Sequence, residues 1–117
     1  MRKLLEELSP STVVPEGLLA AARDWAGRLR ARDPLVEQVG CVGSYARGDW
    51  GVGSDLDIIV IVSHSDEPWM RRPLRYEPEG LPVPADVWVY TRAEWDKLAV
   101  DAPLLARRLW REFVALS

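Results

Sequence analysis

Asp55 and Asp57 stand one residue apart in "GSDLDIIVIV". On an extended chain successive side chains alternate, so both carboxylates project from one face while Leu56 points to the other, roughly 5–7 Å apart. In a partly dry site each carboxylate raises the proton affinity of the other unless a cation lies between them. A hard divalent ion, Mg²⁺ by preference, resolves that conflict with oxygen ligands and retained water. A lone D-x-D also suits a solvated strand end, so its neighbours in sequence decide its meaning. Gly43-Ser44 lies ten residues before Asp55. Glycine lets a backbone approach closely, and a serine hydroxyl with the N–H groups of a helix start can hold a phosphate. Asp86 is an acid in the otherwise apolar run "ADVWVY". A carboxylate inside a strand is costly unless paired or liganded. If its strand lies beside that of Asp55, Asp86 completes a nest of three carboxylates for metal.

The elements that must position these residues are readable in outline. "LVEQVGCVG", Leu35 to Gly43, reads as a first strand, followed by at most one turn of helix in "SYARG" and a loop in "DWGVGS". "DLDIIVIVS", Asp55 to Ser63, is apolar on both faces from Ile58 to Val62, the pattern of a central strand covered on both sides. "VPADVWVYT", Val83 to Thr91, alternates as a third strand. Between them Ser63 to Pro82 holds Pro68, Pro73, Pro78 and Pro82 with no sustained period, and a short helical turn around Pro68 to Arg72 is expected to divide it. A helix is predicted from Glu16 to the "RDP" stop at Arg32 to Pro34, with Leu18, Ala22, Trp25 and Leu29 on one stripe. Thr91 and Glu94 have capping-box spacing and open a helix through Trp95 and Leu98. Asp101 reads as the cap of a last helix, with Leu105, Leu109, Trp110 and Phe113 on its inner face. "RKLLEELS" has Leu4, Leu5 and Leu8 at helical spacing, and Ser9 to Pro15 is a connector. The order α-β-β-β-α-α implies one α/β (α+β) domain over 1–117, with residues 1–14 as N-terminal segment and connector. Its small mixed sheet is expected to carry helices mainly on one face.

Bulk properties set limits on function. The 117 residues suffice for one core, and 48% apolar with 28% charged residues is an ordinary globular balance. A net charge of −3 argues against sequence-independent nucleic-acid binding, which needs a dense basic surface. Cys41 is the single cysteine, excluding an intrachain disulfide and a cysteine-based metal site. No apolar run approaches the roughly 18 residues of a membrane span, and the N-terminus has no secretory pattern, so the expected location is cytoplasmic.

The run "GSYARGDWGVGSDLDIIV" resembles the signature of the nucleotidyltransferase superfamily typified by DNA polymerase beta: G-S, ten residues, D-x-D, and a third acid on a later strand. The short length is similar to the minimal nucleotidyltransferases of prokaryotes (MNT proteins). The resemblance implies a polymerase beta palm-like fold. It implies that Gly43 and Ser44 hold the β- and γ-phosphates of ATP or another NTP, with Arg47 in support. It further implies that Asp55, Asp57 and Asp86 coordinate two Mg²⁺ ions, Asp86 also drawing a proton from the attacking hydroxyl. Tyr45 departs from the pattern, standing where many relatives carry another basic residue. MNT proteins pair with an all-helical HEPN protein, and the resemblance implies an antitoxin that transfers AMP to a tyrosine of such a toxin, in a homo- or hetero-oligomer.

Two other readings remain open at this point: transfer to a small hydroxylated molecule such as an aminoglycoside, and a non-catalytic module that neutralises its partner by contact. His64, a single histidine after the central strand, reads as a loop residue, and Cys41 as packing. Trp50, between the two motifs, could stack on a base or fill an interface. Arg71, Arg72 and Arg75 read as a solvated cluster. Of six tryptophans, Trp25, Trp88, Trp95 and Trp110 fall on periodic elements and are expected to build the core.

Overall fold

The computed structural model describes residues 14–117, so the expected helix around Leu4 to Leu8 and most of the connector lie outside the described residues. The chain runs α1 (Glu16–Arg32), β1 (Val36–Val42), α2 (Ser44–Arg47) and β2 (Leu56–Val62). A 3₁₀ helix (Trp69–Arg75) follows, then β3 (Ala85–Thr91), α3 (Arg92–Asp101), α4 (Pro103–Glu112) and β4 (Val114–Ala115). The four strands form one sheet in the order β3-β2-β1-β4. β1 is antiparallel to β2 and to β4, whereas β2 and β3 are parallel. The fold is the expected mixed α/β sheet.

The helices divide between the two faces of that sheet, which corrects the expectation of packing mainly on one. Leu56, Ile58, Val60 and Val62 of β2 join Leu18, Ala22, Trp25, Ala26 and Leu29 of α1 in one buried cluster. Ile59 and Ile61 of the same strand join Trp95, Leu98, Ala106 and Leu109 of α3 and α4 in a second. The cause is β2 itself: a strand apolar on both faces must be covered twice, and burying each large aliphatic side chain contributes about 1.5–3 kcal/mol.

The proline-rich stretch is a crossover. Antiparallel strands can be joined by a tight turn, but parallel β2 and β3 require the chain to return along the sheet before re-entering it. The 3₁₀ helix, placed as expected, breaks up that return. Arg72 fastens it: its Nε donates to the Glu67 carbonyl at 3.0 Å and Nη1 to the Val89 carbonyl at 3.3 Å and to Glu94 Oε1 at 2.6 Å. Arg72 is therefore buried and paired, not part of a solvated cluster. Trp25 Nε1 donates to the Glu77 carbonyl and the Tyr76 hydroxyl to Asp33 Oδ2, tying the crossover to α1.

Local signals held unevenly. Thr91 and Glu94 form the expected capping box at the start of α3. Asp101 closes α3 and does not cap α4, which follows Ala102 with Pro103 in its first turn; proline there loses no hydrogen bond and presets the helical φ. Trp25 and Trp95 are core residues, but Trp88 is 44% exposed and Trp110 43%. The amphipathic stripe of α4 rests on Ala106 and Leu109, and Leu105 is exposed. The chain leaves helix at Phe113, whose ring covers the bare face of Gly40, and adds the short edge strand β4 that the helical pattern of the tail concealed. No helix among the described residues is long and apolar enough to cross a membrane.

Candidate active site

Three neighbouring strand ends build the site. β1 delivers Val42 and then Gly43 at its C-terminal end, opposite Asp57 at the N-terminal end of antiparallel β2. In the parallel ladder Asp57 pairs with Asp86. Directly paired residues of adjacent strands share a face and stand about 4.8 Å apart between strands. Asp55, two residues before Asp57, precedes the strand and is solvent-exposed. All three acids thus gather at one end of the sheet. Asp86 reaches it from an edge strand and is itself exposed, so the expected cost of an interior strand carboxylate does not arise there. Asp57 carries that burden instead. Burial pushes its carboxyl above the ordinary value of 3.8, and the charges of Asp86 and Asp55 push it the same way, against Arg47 and Arg108.

Among the described residues no three His, Cys, Asp or Glu side chains are placed so as to hold a metal ion together. The donor set nonetheless fits a hard divalent cation: the ligating atoms are carboxylate oxygens, and their mutual repulsion at Asp57 is the charge such an ion would neutralise.

Gly43 sets the close approach of the loop to that centre. Its φ of 83° is a conformation that favours glycine, and a Cβ there would collide with Asp57 Oδ2. Its carbonyl accepts from the Arg47 N–H at 2.9 Å, closing the single turn of α2. Its own N–H, expected to face phosphate, donates instead to Glu112 Oε1 at 3.0 Å. Arg47 is also engaged by protein: Nη1 donates to Glu112 Oε1 at 3.1 Å and Nε to Asp49 Oδ2 at 3.1 Å. Ser44 begins α2, half-buried beside the loop. Tyr45 is buried, stacks on Trp50 with ring centroids 5.4 Å apart, and donates from its hydroxyl to the Ser54 carbonyl. Tyr45 and Trp50 therefore hold the glycine-rich loop shut between the two motifs.

A cleft of about 380 Å³ opens beside Asp57, lined by Gly43, Ile59, Trp69, Trp88, Tyr90 and Arg108 among others. Glu112 and Arg108 have no counterpart in the sequence reading. An arginine and a glutamate at i, i+4 near a helix end look like an ordinary surface pair; only the return of α4 across β1 brings them to the loop. His64 lies away from the acids, at the rim of a smaller cavity lined by Arg72 and Tyr76.

The nucleotidyltransferase domain family is matched over residues 23–111. The chain belongs to that family. A nucleotidyltransferase domain implies an NTP substrate and, typically, a divalent metal. Among solved structures, the domain is similar to a protein of Sulfolobus solfataricus classed as a nucleotidyltransferase, at 22% identity with a TM-score of 0.60. The match covers 84% of this chain and 78% of that one and supports the shared fold. No curated protein is matched significantly.

Proposed function

We propose that the domain transfers the nucleoside monophosphate of an NTP, AMP from ATP, to a hydroxyl of a protein acceptor, and that this acceptor is a helical HEPN-type toxin which the modification silences. The observation that carries the transfer chemistry is the in-register pairing of Asp57 with Asp86, on the sheet face approached by Gly43. In the reaction the acceptor oxygen bonds to the α-phosphorus while the bond from that phosphorus to the bridging oxygen breaks, and pyrophosphate leaves. Asp86, exposed on the edge strand, takes the acceptor's proton. Asp55, Asp57 and Asp86 would hold two Mg²⁺ ions, which when bound supply charge neutralisation at the α-phosphoryl group and the leaving pyrophosphate. Ser44 and the loop held by Tyr45 orient the polyphosphate beside them.

A protein acceptor is favoured by the apolar surface around the cleft. Trp69, Trp88 and Leu105 line it while partly exposed, and Met70, Leu74 and Leu104 are exposed on the elements that bound it. Concentrated apolar exposure is a mark of protein-binding surface. The test is incubation of the chain with α-labelled ATP, Mg²⁺ and a HEPN-type protein encoded beside it. Label on that protein with wild type, and none with Asp57→Asn, is the expected result. Label reaching only a small hydroxylated acceptor would remove the protein-modifying role. Neutralisation of the toxin by Asp57→Asn as fully as by wild type would replace enzyme with contact inhibitor.

A further inference from the structure

Glu112 ends α4 with its side chain only 7% exposed. A carboxylate so placed is costly unless donors surround it, and three do: the Gly43 N–H at 3.0 Å and Arg47 Nη1 at 3.1 Å on Oε1, and Arg108 Nε at 3.3 Å on Oε2. The two arginines come from different elements, Arg47 from α2 and Arg108 from α4. Arg47 is largely committed, since Asp49 takes its Nε as well. Arg108 is not. Among the described residues its terminal nitrogens have no protein partner, its side chain is 59% exposed, and it lines the cleft that contains Gly43 and Asp57. A guanidinium fixed by one edge presents its other donors in a set plane, the geometry that binds phosphate oxygens in pairs.

Resting on the nucleotidyl-transfer reading, we propose that Arg108 binds the polyphosphate of the substrate and stays on the pyrophosphate as it departs, with Glu112 as the positioning residue that aims it and anchors the Gly43 loop. Arg108 touches the ligand; Glu112 acts through Arg108, Arg47 and the Gly43 N–H. The assignment also explains why a buried acid sits where an anion is to be received: its charge is spent on the two guanidiniums, and Arg108 keeps donors on the wall of the cleft.

Titration calorimetry with inorganic tripolyphosphate in Mg²⁺ tests this without requiring transfer or an acceptor. Arg108→Gln is expected to weaken binding about tenfold, the loss of charge-assisted hydrogen bonds. Arg108→Lys should recover only part of that, because an ammonium keeps the charge but lacks the fork. Glu112→Gln should weaken binding too, and Arg108→Gln added to it should cost much less than in wild type, since an unaimed arginine has less to lose. Unchanged affinity in Arg108→Gln would overturn the proposal, and so would strictly additive losses, which a purely structural Glu112 predicts. Arg108 is exposed enough for its substitution to leave folding intact, so that arm decides even if Glu112→Gln unfolds the chain. A wild type that transfers nucleotide while Arg108→Gln binds tripolyphosphate normally removes the clamp and leaves the transferase. Binding that depends on Arg108 in a chain that transfers nothing keeps the clamp and removes the transferase.

Discussion

At the scale of single residues, the site rests on what Gly43 lacks and on what Asp57 must tolerate. Gly43→Ala forces a Cβ into Asp57 Oδ2 at a φ of 83°, so transfer activity is expected to fall below detection. The strain adds about 1–2 kcal/mol of lost stability, measurable by denaturant titration. Asp57→Asn should reduce transfer by about 10²–10³-fold, the scale of losing one transition-state electrostatic group. Its effect on stability has the opposite sign. Because burial and neighbouring acids raise the folded pKa of Asp57, the native state holds the proton more tightly than the unfolded chain, and stability falls as pH rises from the ordinary carboxylate range upward. In metal-free buffer Asp57→Asn should therefore have a higher Tm than wild type at neutral pH, and the gain should disappear as the pH is lowered below about 4. A gain that persisted at low pH would mean that packing, not charge, is the cause. The G-S, D-x-D and later acid were all legible, since each is a residue type in a local spacing. Glu112 and Arg108 were not: their i, i+4 spacing reads as an ordinary surface pair, and the contact that ties the pair to the site, from the Gly43 N–H to Glu112, spans 69 residues.

At the scale of elements, the crossover between β2 and β3 determines whether Asp86 reaches its place. Arg72 joins it to β3 and to the first turn of α3 through Val89 and Glu94. Arg72→Ala should cost about 2–3 kcal/mol, with part of the ion-pair contribution discounted because Glu94 is partly exposed. The hydrogen bond to Arg72 holds the Glu94 carboxyl below its usual range, so this contribution is present above pH 4.5 and is lost as pH falls through the depressed folded value. The stability gap between wild type and Arg72→Ala should accordingly narrow under acid, leaving the part held by the Glu67 and Val89 carbonyls. Thr91→Ala removes the N-cap of α3 and should cost about 1 kcal/mol without changing polyphosphate affinity. The capping box was readable because it is a contact within one turn. The division of helices between two faces was foreshadowed only by the double-sided apolar run of β2, and β4 was hidden because two residues carry no period.

At the scale of the molecule, binding and surface are linked. A polyphosphate that binds only the folded chain stabilises it by about 2.7 kcal/mol at a hundredfold excess over Kd. Tripolyphosphate with Mg²⁺ should therefore raise Tm in wild type and fail to do so in Gly43→Ala. The aromatic sequence Trp69–Tyr90–Trp95, with centroids 4.8 and 5.2 Å apart, runs from the cleft into the second core. On the proposed transfer to a protein, its exposed end Trp69 and the neighbouring Trp88 form the acceptor-facing edge. Trp88→Ser should raise the KM for a protein acceptor while leaving tripolyphosphate affinity within about twofold, since tryptophan is among the residues that dominate protein interfaces.

By itself the sequence determined the chemistry on offer and the strands that carry it: two acids at period two, a glycine-serine turn, a third acid on an alternating run, and helices marked by caps and apolar stripes. These are short-range properties, set by side-chain alternation, backbone sterics and hydrogen bonds within a turn. Strand order and the parallel register that sets Asp86 beside Asp57 were decided only by tertiary structure. So were the second covered face, and the buried Glu112 that takes the Gly43 N–H and aims Arg108. Each of those depends on which apolar faces can be buried together, a free-energy balance over the whole chain that no local spacing records.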